Sequence, residues 1–79
     1  MRKKIETRLK KLGINYEYAW NGRRKDLYLV EVLDGEEHDF WIHPTTRGLY
    51  VTSTEDGIED QCSITFDGLM EYLESAEWV

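Results

Sequence analysis

Cys62, His38 and His43 are the only residues able to form a thiol–imidazole pair in this chain. Cysteine catalysis needs the imidazole within hydrogen-bond reach of the sulfur, so that a thiolate forms at neutral pH. Nothing in the spacing brings either histidine to Cys62, and a lone cysteine is expected to pack as a small buried hydrophobe. His38 and His43 stand five apart; on one strand they face opposite sides and cannot chelate a common metal. The segment Glu55-Asp56-Gly57-Ile58-Glu59-Asp60 sets four carboxylates around a glycine. It lacks the alternating ligands and closing glutamate of a calcium loop, and reads as a solvated turn. His43-Pro44-Thr45-Thr46-Arg47-Gly48 offers hydroxyls and a guanidinium to an anion, but it has no phosphate-loop pattern and reads as a polar hairpin tip. GxGxxG, GxSxG and CxxC do not occur. The expectation is a non-enzymatic protein with no catalytic residue, metal or cofactor.

Charge is the first positive signal. Residues 1–25 hold nine Lys and Arg against Glu6 and Glu17, a balance of +7. Residues 26–79 hold Arg47 alone against fourteen Asp and Glu, a balance of −13, and the whole chain carries −6. A basic segment of this kind suits phosphates, and an acidic one steers toward a basic partner. The plainer reading is that the two halves are solvated faces that attract each other within the fold.

The elements that must position these groups fit one domain. Seventy-nine residues are close to the lower limit for a single hydrophobic core. One cysteine excludes an internal disulfide framework, so a reducing, cytoplasmic setting is expected. No apolar run approaches the ~18 residues of a membrane span, and the basic N-terminus lacks the apolar core of a signal peptide. Ile5, Leu9 and Leu12 share one face of a helix over about 2–12, with Gly13 placed as a left-handed cap. Strands are predicted at about 14–20, 27–33, 38–43 and 49–53, with turns at Asn21-Gly22 and Asp34-Gly35. An acidic loop over 55–61 leads to a helix over about 66–77, with Thr65 as N-cap. The fold class is therefore α+β: a four-stranded antiparallel meander flanked by an N-terminal and a C-terminal helix, αββββα.

Period-2 parity sorts the strand residues. One face carries Ile14, Tyr16, Tyr18, Trp20, Leu27, Leu29, Leu33, Phe40, Ile42, Leu49 and Val51, and is the predicted core. The opposite face carries Asn15, Glu17, Tyr28, Val30, Val32, Asp39, Trp41, His43, Tyr50 and Thr52. On it Tyr28, Trp41, His43 and Tyr50 become neighbours across three strands. Three covers for such a face compete: the C-terminal helix, a second copy of the chain, or a binding partner.

The function these features favour is a small protein-binding domain, an acidic inhibitor or adaptor that meets a basic protein through Tyr28, Trp41, His43 and Tyr50 and the acidic Glu55, Asp56, Glu59 and Asp60. Small acidic inhibitors of phages and mobile elements are similar in size and charge, though no motif is shared. The alternative is a nucleic-acid-binding module using Lys10, Lys11, Arg23, Arg24 and Lys25 beside Trp41. The strand order differs from that of the common aromatic-sheet RNA module, whose glycine–aromatic motif is missing. A structural homodimer packed through its sheet faces is the third.

Overall fold

The apolar stripe of Ile5 and Leu9 needs a partner, and it finds one on the sheet. In the computed structural model, which describes residues 1–79, helix α1 (Arg2–Leu12) buries both side chains completely. It ends at Gly13, whose φ of 72° supplies the left-handed cap, and the Ile14 amide then bonds the Leu9 carbonyl. Five strands follow in antiparallel order: β1 (Glu17–Asn21), β2 (Arg24–Leu33), β3 (Glu36–Thr45), β4 (Gly48–Glu55) and β5 (Ile58–Ser63). Helix α2 (Phe66–Ser75) comes next, and β6 (Glu77–Trp78) pairs with β2 beyond the end of β1. The fold is α+β, with two helices and an antiparallel sheet of five strands plus this short sixth.

Both helices lie on the same face. Ile5 and Leu9 of α1 and Leu69, Met70 and Leu73 of α2 form one cluster with Leu27, Leu29, Phe40, Ile42, Leu49 and Val51. Each fully buried Leu or Ile contributes roughly 1.5–3 kcal/mol of transfer free energy. Thr65 caps α2 by accepting the Gly68 amide. Trp78 closes the far end: its ring meets Phe40 and Tyr72, and its indole donates to the Leu73 carbonyl at 3.0 Å. Burial of Glu31 under α2 is matched by a hydrogen bond from the Tyr72 hydroxyl.

Several expectations need correction. The sheet is not four-stranded, because the acidic segment 55–61 is a hairpin turn followed by β5. Asp56 and Gly57 have φ of 52° and 77°, nearly the values at Asp34 and Gly35 (52° and 79°), so two similar Asp-Gly turns join β2 to β3 and β4 to β5. The turn at the start of the sheet is centred on Gly22-Arg23, one residue later than Asn21-Gly22. The loop after Pro44 shortens to Thr46-Arg47, with Thr45 opposite Gly48. β1 begins at Glu17 rather than 14, and α2 ends at Ser75 rather than 77. Tyr18, Trp20 and Leu33 have core parity but are exposed, outside the cluster that the helices bury. Cys62 is exposed too, on a strand with no outer neighbour.

Candidate functional site

The face opposite the helices is the second surface of the sheet, and register assembles it. Tyr28 stands directly across from Trp41, Trp41 from Thr52, and His43 from Tyr50. The Tyr28 and Trp41 rings sit 5.5 Å apart at 45°. No helix covers them, so the C-terminal helix is excluded as the cover of this face. The parity reading thus holds for Tyr28, Trp41, His43 and Tyr50, which the structure brings together. His38 takes the other side, where its Nδ1 meets the Thr54 carbonyl at 3.0 Å.

A polar chain runs beside the aromatics. Asp26 is 2% exposed. It accepts a fork from Arg24, Nε to Oδ1 at 2.6 Å and Nη2 to Oδ2 at 3.0 Å, and a bond from His43 Nδ1 at 2.7 Å. A carboxylate only accepts, so Nδ1 carries the proton. In the neutral ring Nε2 then accepts from the Thr52 hydroxyl, at 2.7 Å. Burial alone would raise the Asp26 pKa; the Arg24 and His43 bonds outweigh it and hold the carboxyl below its ordinary value. The order Asp–His–hydroxyl is that of a hydrolytic triad, which also needs free donors for an oxyanion. Thr52 lies in β4 between Trp41 and Gln61, so its own amide belongs to the sheet ladder. The chain of bonds does fix the His43 ring against its neighbours.

Trp41, His43, Thr52, Ala19, Glu59 and Gln61 line a shallow depression of about 330 Å³. Around it the strand residues are acidic: Glu17, Glu37, Asp39 and Glu59 point to this side, and the one base among them, Arg24, is held by Asp26. The Tyr28 hydroxyl donates to Asp39, which together with burial pushes the phenol up to about 12.

The structure divides the other expected groups. Of the acidic four, Glu59 faces the aromatics, Asp56 sits in the turn, and Glu55 and Asp60 share the helix-side parity of Val51. Of the basic five only Arg24 shares the face of Trp41, where Asp26 holds it. Lys10 and Lys11 are exposed in the last turn of α1, Arg23 is in the first hairpin turn, and Lys25 lies on the helix side against Tyr18 and Trp20. Attraction between the two charged halves reduces to Arg8–Glu74 at 2.8 Å and the Arg24–Asp26 pair. Asp26 and Glu37 were missed by sequence reasoning. Carrying the Tyr28 and Asp39 parity two residues further would have placed both.

Comparison with protein-family models, with curated proteins and with solved structures finds no match. No helix is long and apolar enough to cross a membrane.

Proposed function

We propose that this protein is a non-enzymatic binding domain that docks the open face of its sheet onto a basic surface of another protein, acting as an inhibitor or adaptor by occluding that surface. The observation that carries this is the Tyr28–Trp41 pair on a face no helix covers, framed by Glu17, Glu37, Asp39 and Glu59 with no free base beside them. Tyr and Trp are favoured as interface anchors, and the acidic frame steers a cationic partner while rejecting others. A second copy is the poorer occupant, because packing this face on itself would set carboxylate against carboxylate. The setting is a reducing one such as the cytoplasm, where the exposed Cys62 thiol persists.

The test is capture from nuclease-treated lysate by the immobilised protein, with mass spectrometry, followed by kinetics on the purified partner. Trp41→Ala should cost about 2 kcal/mol or more, roughly thirtyfold in affinity. Glu17→Lys, Glu37→Lys and Glu59→Lys combined should slow association and flatten its salt dependence. A partner that binds Trp41→Ala as tightly as the wild type overturns the assignment of this face.

A further inference from the structure

The most exposed aromatic side chains lie on the other side of the sheet. Trp20 is 64% exposed and Tyr18 47%, an unusual setting for large rings. They are two residues apart on β1 and so share a face, about 7 Å from one another. Both stand on the helix side but at the edge strand. Tyr18 is held in place: its hydroxyl donates to Glu6 at 2.6 Å, beside that of Tyr16 at 2.9 Å, and the two phenol rings meet edge to face. Lys25, opposite Trp20 on β2, places its ammonium 4.6 Å from the Tyr18 ring centre and 5.2 Å from that of Trp20. Arg2 approaches the Tyr18 ring at 5.8 Å but is paired with Glu6 at 2.5 Å, whereas Arg23 stands exposed at the adjoining turn.

We infer that α1 and the first hairpin form a binding site for single-stranded nucleic acid, in which Trp20 and Tyr18 stack consecutive bases and Lys25 and Arg23 meet the phosphates. Every base has a ring face, so two pre-positioned aromatics with a cation between them suit a single strand without regard to sequence. The charge follows the chain: the segment with a balance of +7 is α1 and the first hairpin, while α2 on the same side of the sheet carries Asp67, Glu71 and Glu74, with Glu74 paired to Arg8. Glu6 and Glu17 are the acids nearest the two rings; Glu6 is paired with Arg2 and Glu17 faces the other side of the sheet, which leaves Lys25 and Arg23 as the charges a strand meets first. This surface adjoins the aromatic face proposed for a protein partner at β1, where Trp20 also borders the depression that Trp41 lines; the nucleic-acid reading attaches to Trp20 and not to Trp41.

The experiment is fluorescence anisotropy with labelled oligo-dT and oligo-U of about twelve nucleotides, within the span such sites cover. Low-salt binding is expected, weakening with log–log slope of about −1.4 in salt for two phosphate contacts. Trp20→Ala should weaken it about five- to 150-fold, the range for one stacked base. Lys25→Glu should weaken it and lower the slope, whereas Trp41→Ala should leave it unchanged. Oligo-U bound and oligo-dT not would assign the site to RNA; both bound would assign it to either strand. Absence of binding at low salt, or equal binding by Trp20→Ala, overturns the inference. So does equal loss with Trp41→Ala. Thermal melts of each variant confirm the fold, and Lys25→Glu carries the test should Trp20→Ala melt early.

Discussion

Replacing Asp26 with Asn tests the polar chain that supports the open face. The substitution keeps the shape but removes the charge, and it turns one acceptor into a donor. Asp26 receives three bonds, two from Arg24 and one from His43. His43 is 14% exposed, and losing its charge-assisted bond should cost about 1.5–3 kcal/mol. The Arg24 side chain is 35% exposed and can turn to water, so its fork is counted at the level of a surface pair, at most about 1 kcal/mol. The expected loss is about 3 kcal/mol, against a total of roughly 4–12 kcal/mol for a domain of this size. The melting midpoint should fall by about 12–24 °C. Urea and thermal unfolding followed by circular dichroism measure both. Because the folded Asp26 carboxyl titrates below its ordinary value, the unfolded chain binds more protons between the two pKa values, and stability rises with pH there. The contribution is complete above the ordinary Asp value of about 4 and disappears as pH falls through the lower folded value. Wild type and Asp26→Asn should therefore converge in acid, while Glu6, also lowered, keeps some acid sensitivity in both. A loss below about 1 kcal/mol at neutral pH, or two curves that run parallel into acid, would refute the account.

Two further perturbations probe the helix side. Tyr72→Phe leaves the buried Glu31 carboxylate without its hydroxyl donor and should cost about 1–3 kcal/mol in urea unfolding, with little volume change; an unaltered midpoint would show that the bond contributes nothing. Gly68→Ala removes a poor helix former, a gain of about 1 kcal/mol by propensity alone. The new Cβ would lie 2.9 Å from the Thr65 hydroxyl oxygen that caps α2, so the net gain should be near zero, and a full stabilisation of about 1 kcal/mol would refute that reasoning.

The parts of the fold that were legible are those where local and tertiary preferences agree. Alternation in β2 to β4 is set by residues that favour strands and also fill a core, so parity placed Tyr28, Trp41, His43 and Tyr50 correctly. β5 escaped notice for the opposite reason. Ile58-Glu59-Asp60-Gln61-Cys62-Ser63 is polar, exposed throughout and weak in strand propensity, and its pairing with β4 follows from the Asp56-Gly57 turn. Asp26 was hidden because a buried carboxylate near a turn reads as part of the turn. Its partner Arg24 adjoins it, but His43 lies seventeen residues away, and only register joins them. The exposure of Tyr18 and Trp20 was not legible either: parity gives the side of the sheet, and the reach of α1 decides what it covers.

The placement of both helices on one face has a consequence for how so short a chain can carry two surfaces. A sheet of this size usually needs a second covering layer only if its far face is apolar. Here Arg24, Asp26, His43 and Thr52 satisfy one another along that face, so it stays folded without a cover. Tyr28, Trp41 and Tyr50 remain half-buried beside this polar chain, held by register and not by a packing partner. A rigid, partly desolvated aromatic surface loses little conformational entropy when it binds, which is the condition under which a small interface becomes a specific one. The sheet then sets the two aromatic pairs on opposite sides, Tyr28 and Trp41 among carboxylates and Tyr18 and Trp20 beside Lys25. Reversing the first set of charges, as Glu17→Lys with Glu37→Lys and Glu59→Lys would, should therefore disturb recognition on the aromatic face while leaving the Trp20 side chain in place.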